Sequence, residues 1–143
     1  MSYKNENMKM IELHENGLDI QFRIRENGVV ELADFSSQEV KKAVMEPKED
    51  ICYPAVEIHR SGTGSLNMHA YKNNINQSSV DFVYENHELK AQAGGKELEI
   101  VMISPEKLKA VYHMRLFDGV PAVQTWTEII NEGSEDQGLT YVC

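Results

Sequence analysis

The stretch Leu18-Asp19-Ile20-Gln21-Phe22-Arg23-Ile24-Arg25 alternates apolar and polar residues without a break. A period of two puts Leu18, Ile20, Phe22 and Ile24 on one face of a strand and Asp19, Gln21, Arg23 and Arg25 on the other. No helix of 3.6 residues per turn separates them that way. The pattern calls for a sheet with one buried and one wet face. Leu108, Ala110, Tyr112, Met114 and Leu116 repeat it against Lys107, Lys109, His113 and Arg115, with Val111 as an apolar intruder. Further runs of strand length are Lys9 to Glu15, Val29 to Phe35, Tyr53 to His59, Leu66 to Tyr71, Val80 to Tyr84, Glu88 to Ala93, Lys96 to Ile103 and Val123 to Ile130.

Between these runs stand Asn16-Gly17, Asn27-Gly28, Gly94-Gly95, Asp118-Gly119 and Asn131-Glu132-Gly133. Such pairs tolerate the positive φ angles of tight hairpin turns, so consecutive strands are expected to be antiparallel neighbours. One segment competes with this scheme. Ser36 and Glu39 form a capping-box pattern ahead of Val40, Ala43 and Val44, and Pro47 would stop the helix. The alternative for Ser36 to Asp50 is an irregular excursion between two sheets. The fold class is therefore all-β, an antiparallel β-sandwich with room for one short helix.

The chain has 143 residues, the size of one domain, and it carries no repeat or low-complexity linker that would divide it. A core of this size closes without metal or disulfide staples. Cys52 and Cys143 are too few for a disulfide framework and lack the Cys-x-x-Cys spacing of a zinc or redox site. With 14 basic and 23 acidic residues the net charge is -9, the wrong sign for gripping nucleic acid or an anionic membrane. No stretch reaches the roughly 20 apolar residues of a membrane helix. Residues 1–7 lack the apolar core of a signal peptide, and a cytoplasmic location is expected. Leu139-Thr140-Tyr141-Val142-Cys143 opens another alternating strand and then stops. An unpaired edge, and a longer parent chain of which this is the front piece, are the expectations drawn from it.

Residues able to carry chemistry are scattered. Ser61-Gly62-Thr63-Gly64-Ser65 lacks the lysine and following helix of a phosphate-cradling loop and is expected to be a connection. His14, His59, His69, His87 and His113 show no metal-ligand spacing, so isolated strand histidines and no bound metal or cofactor are expected. Glu57, Asp81, Glu99 and Glu128 fall at alternate positions opposite apolar ones, as on solvated strand faces. Ser61, Ser104 and Cys52 lie in no nucleophile motif. Trp126, the single tryptophan, is the ligand or interface candidate. It shares a face with Gln124, Glu128 and Ile130, and it could pack in the sandwich, meet a protein partner or stack a sugar.

The run Val123-Gln124-Thr125-Trp126-Thr127-Glu128-Ile129-Ile130-Asn131-Glu132-Gly133 resembles a strand and Asn-x-Gly turn of bacterial α-galactosidases of glycoside hydrolase family 36. Tyr53-Pro54-Ala55-Val56-Glu57-Ile58 leading into Gly62-Thr63-Gly64 is similar to that family's Gly-x-Gly segment, and Leu18 to Phe35 resembles its first strands. The family continues its Gly-x-Gly with an acidic residue, a basic residue and Pro-Ala, where this chain has Ser65, Asn67, His69 and Ala70.

The resemblance implies that residues 1–143 form one N-terminal β-supersandwich domain of the galactose-mutarotase-like type. Catalysis would belong to a following barrel, absent here, in which two aspartates hydrolyse terminal α-galactosides with retention. It carries over no catalytic position. The implied partners are that C-terminal barrel of the same chain, further copies in a homo-oligomer, and an α-galactoside sugar. Two other functions compete: a stand-alone carbohydrate-binding module, and a mutarotase-like enzyme, disfavoured because such folds need more strands than this chain provides and because no His/Glu pair can be brought together from the sequence.

Overall fold

The computed structural model describes residues 9–37, 53–63 and 77–143. The strands are β1 (Lys9–Glu15), β2 (Leu18–Ile24), β3 (Val30–Ser37), β4 (Ile58–Arg60), β5 (Val83–Gln92), β6 (Gly95–Ile103), β7 (Leu108–Phe117), β8 (Val120–Asn131) and β9 (Leu139–Val142), with one helical turn, α1 (Gln77–Val80), ahead of β5. They form a three-stranded sheet β1-β2-β3, a four-stranded sheet β5-β6-β7-β8 and a pair β4-β9, with every pairing antiparallel. The all-β sandwich expected from the alternation is the observed architecture.

Its core lies where the alternation places it. Leu18, Ile20, Phe22 and Ile24 of β2 meet Leu98, Ile100 and Met102 of β6 and Leu108, Ala110, Tyr112, Met114 and Leu116 of β7 in one buried cluster. Phe22 and Tyr112 make an edge-on contact across it, with ring centroids 5.5 Å apart. The first hairpin turns on Asn16 and Gly17, both at positive φ (53° and 80°), as a two-residue turn matched to strand twist requires. The Asn16 side chain then joins the two sheets: its Nδ2 donates to Phe117 O at 2.8 Å, and Gly119 N donates to its Oδ1 at 2.9 Å.

Three expectations need correction. Val80 to Tyr84 and Glu88 to Ala93 are not separate strands: Val80 closes α1, and β5 runs unbroken from Val83 to Gln92. A bulge between Tyr84 and Asn86 shifts the phase of alternation, so one strand looks like two. Of Tyr53 to His59, only Ile58 and His59 are in a strand, together with Arg60, while Pro54 makes a single bridge to Glu31. Proline has no N–H to extend a ladder. The last strand, expected to leave an open edge, pairs with β4, and Glu57 and Cys143 exchange backbone hydrogen bonds at 3.0 and 2.9 Å.

The other edge of β4 is occupied by side chains. Ile58 N donates to Ser79 Oγ at 2.9 Å, which donates back to Ile58 O at 3.0 Å, and Arg60 N donates to Ser78 Oγ at 3.1 Å. The serines of α1 thus satisfy backbone groups that a neighbouring strand would otherwise serve. Most of the helix considered at Ser36 to Pro47, the strand at Leu66 to Tyr71, Cys52 and His69 lie outside the described residues. Ser36 and Ser37 are the end of β3. No helix among the described residues is long and apolar enough to cross a membrane.

Candidate functional site

The inner face of the four-stranded sheet is spent on the core, so chemistry falls to its outer face. Strands β6, β7 and β8 are in uninterrupted register there: Glu99 stands opposite His113, Glu97 opposite Arg115, and His113 opposite Trp126. Because side chains repeat every two residues, Glu97 and Glu99 share a face with His113 and Arg115, and with Gln124, Trp126 and Glu128. On β5, Glu88 and Lys90 stand opposite Glu99 and Glu97.

His113 is the centre of this patch. Only 6% of its surface is exposed, and the same holds for Glu97. Its Nδ1 lies 2.9 Å from Glu97 Oε1 and 3.9 Å from Glu99 Oε1, while Nε2 lies 3.8 Å from Glu128 Oε1. A carboxylate only accepts hydrogen bonds, so Nδ1 donates to Glu97 in this arrangement. Nε2 is buried and has no hydrogen-bond partner. The Trp126 indole lies flat on the imidazole, centroids 4.7 Å apart and planes 4° from parallel. Gln92 Nε2 donates to Glu97 Oε2 at 2.8 Å, and Lys90 Nζ donates to Glu99 Oε2 at 2.5 Å. That bond, with the charges of Glu99 and Glu88 behind it, holds the Lys90 ammonium above the ordinary lysine range. Arg115 turns away, donating to Ala93 O at 3.3 Å and lying over the Phe117 ring.

Trp126 therefore lies on the outer face and not in the sandwich interior; Val123 and Ile129, from the opposite face of β8, pack on the core. The histidines are not isolated. His113 joins Glu97 and Glu99, whose side-chain ligand atoms and its own lie within 4.8 Å of one another. His14 Nδ1 is 2.6 Å from Asp19, and His59 Nε2 is 2.8 Å from Glu57 with its ring 5.1 Å from that of Tyr141. His87 Nδ1 lies 2.9 Å from Tyr84 Oη, which takes a bond from Lys9 Nζ at 2.9 Å. Burial, helped by the Lys9 charge, pushes the His87 imidazole below its usual value. A His/Glu pair is thus brought together after all.

The acidic residues read as solvated faces also have partners. Asp81 binds the buried Arg60 guanidinium at 3.0 Å, and Glu106, which no sequence pattern marks, binds it at 2.6 Å. Burial pushes Glu106 up, but bonds from its own backbone N–H, Arg60 and Ser104 outweigh this and hold the carboxyl below the usual range. Ser61 to Thr63 is a turn with Gly62 at φ 83°, and Thr63 Oγ1 donates to Arg60 O at 2.7 Å. Its hydroxyl serves the turn.

Glu97 was not singled out by sequence, and the reason lies in the turn from β6 to β7. Ser104-Pro105-Glu106-Lys107 closes with Lys107 N donating to Ser104 O at 3.0 Å and Ser104 N donating to Leu108 O at 2.9 Å. Its left-handed position is Lys107, at φ 64°. Without glycine or asparagine there, the turn carries no strong signal, and the register that sets Glu99 against His113 stays hidden. Pro105 at the second turn position was the available clue.

No protein-family model matches the chain, and no curated protein matches it. Among solved structures, the GH36 α-galactosidase AgaA of Geobacillus stearothermophilus, crystallised in complex with raffinose, is similar with a TM-score of 0.57 at 11% sequence identity. The chain has a GH36-like fold. The likeness covers 87% of this chain and 22% of that enzyme, so the chain spans under a quarter of its length.

Proposed function

We propose that the chain is a non-catalytic β-sandwich domain of an α-galactosidase-like glycoside hydrolase, on which a catalytic barrel packs and through which copies assemble. The observation that supports this is the extent of the likeness: nearly all of this chain against about a fifth of a GH36 α-galactosidase. The outer-face groups are consistent with a structural role, since Glu97 and His113 are closed in by Gln92 and Trp126.

Two experiments test it. The purified chain, given an aryl α-galactoside, should show no turnover above a mock preparation; appreciable cleavage that the mock preparation lacks would overturn the proposal. Sequencing the reading frame beyond Cys143 should find a (β/α)₈ barrel with two catalytic aspartates. The His113–Glu97 and His59–Glu57 pairs favour a mutarotase-like enzyme, and acceleration of galactose anomer exchange in a polarimeter would support that function instead. Saturable raffinose binding with a change in Trp126 emission would support a sugar-binding module.

A further inference from the structure

The outer-face cluster has the chemistry of a metal site. We propose that Glu97, Glu99 and His113 bind one divalent transition-metal ion, with zinc as the best match. One imidazole nitrogen and two carboxylate oxygens, with a fourth position open to water, is a donor set zinc accepts, whereas magnesium and calcium prefer oxygen alone. The three ligand atoms already lie within 4.8 Å of one another. Bonds of about 2.0–2.1 Å to a tetrahedral ion place donor atoms roughly 3.3 Å apart. The present separations from Nδ1, 2.9 and 3.9 Å, bracket that value.

The surroundings are arranged as a metal site requires. Gln92 and Lys90 hold the far oxygens of Glu97 and Glu99, which leaves the near oxygen of each facing His113. Trp126 fixes the plane of the ring. The independent sign is His113 Nε2, deeply buried and without a hydrogen-bond partner. A metal on Nδ1 needs a lone pair there, which moves the single proton of a neutral imidazole to Nε2. That proton then faces Glu128 Oε1, 3.8 Å away, and a shift of roughly 0.8 Å would complete the carboxylate–histidine–metal hydrogen bond common at protein metal sites. Entry is open on the Glu99 side, whose side chain retains 23% of its exposure.

The experiment uses the whole chain and metal salts. Calorimetric titration with zinc chloride should give one saturable site per chain, with magnesium giving none. Copper(II) at the same site lies beside the chain's only tryptophan, so it should quench Trp126 emission, and zinc should relieve that quenching competitively. Glu99→Gln and Glu97→Gln preserve shape but remove a ligand, and each should weaken zinc binding at least about tenfold, the loss that even an outer-shell change produces. His113→Gln should do the same. Zinc should also raise the thermal midpoint of the wild type and not that of the variants. The proposal is overturned by an absence of saturable zinc binding, or by undiminished affinity in Glu99→Gln with a wild-type far-ultraviolet spectrum. It is overturned equally by quenching that zinc does not reverse. None of these outcomes depends on whether the chain belongs to a glycosidase.

Discussion

Substituting Gly95 with alanine should unfold the sandwich far more readily than the same change at its neighbour Gly94. An ideal Cβ on Gly95 would fall 1.9 Å from Leu116 O and 2.9 Å from the carbonyl carbon, both backbone atoms of β7. Carbon–oxygen contacts settle above 3.0 Å, so the end of β6 must move off β7 by roughly an ångström in a lattice packed like a crystal. Overpacking of this kind costs about 1–3 kcal/mol, and ladder hydrogen bonds stretched by the opening add about 1 kcal/mol each. With two such bonds the total is about 3–5 kcal/mol. For 143 residues the unfolding entropy makes each kcal/mol worth about 3 °C, so the midpoint should fall by roughly 10 °C. Gly94, at φ 75°, faces open space; alanine there meets only left-handed strain, about 1–2 kcal/mol and 3–6 °C. Thermal and urea unfolding followed by circular dichroism measures both. Equal midpoints for the two variants would refute the reasoning, because they would mean that β7 does not press on Gly95.

The remaining expectations concern other links between the sheets. Burial pushes the Tyr112 phenol up to about 12, with a Thr125 hydrogen bond pulling weakly the other way. The folded value lies above the unfolded value of 10.0, so the neutral phenol stabilises the fold fully below pH 10, and that contribution is lost as pH rises toward about 12. Urea unfolding across that window should lose about 2–3 kcal/mol more in the wild type than in Tyr112→Phe; parallel curves would contradict it. Asn16→Ala combines a positive φ with loss of the bonds to Phe117 and Gly119 and should cost about 2 kcal/mol, whereas Asn16→Gly keeps the turn and should cost about half as much in thermal melts. Phe22→Ala empties a fully buried site facing Tyr112 and should cost about 3–5 kcal/mol by urea denaturation.

The candidate site was only partly legible in the sequence, for reasons visible at single residues. Trp126 stands out as the only tryptophan, and alternation groups it with Gln124, Glu128 and Ile130, but alternation leaves open whether that mixed face turns inward or outward. Its partner His113 looks in sequence like any of the other strand histidines, since a strand pattern names a residue's face and not its cross-strand neighbour. Glu97 is one acid among 23 acidic residues in the sequence, and its burial depends on Gln92 and His113 arriving from two other strands. Similarly, Gly94 and Gly95 look alike in sequence. One turns the chain at positive φ and the other makes room for a carbonyl from β7.

The sequence by itself determined that this is a layered all-β protein, which residues of β2 and β7 face inward, and where Asn16 and Gly17 turn the first hairpin. These follow from local rules: a pleat repeats every two residues, and few residue types tolerate positive φ. Tertiary structure alone decided that Glu97 and Glu99 meet His113, that the serines of α1 border β4, and that β9 closes on its other side. Those contacts depend on register, which is set by bulges and by a turn at Lys107 that carries no local signature, and on packing between segments distant in sequence.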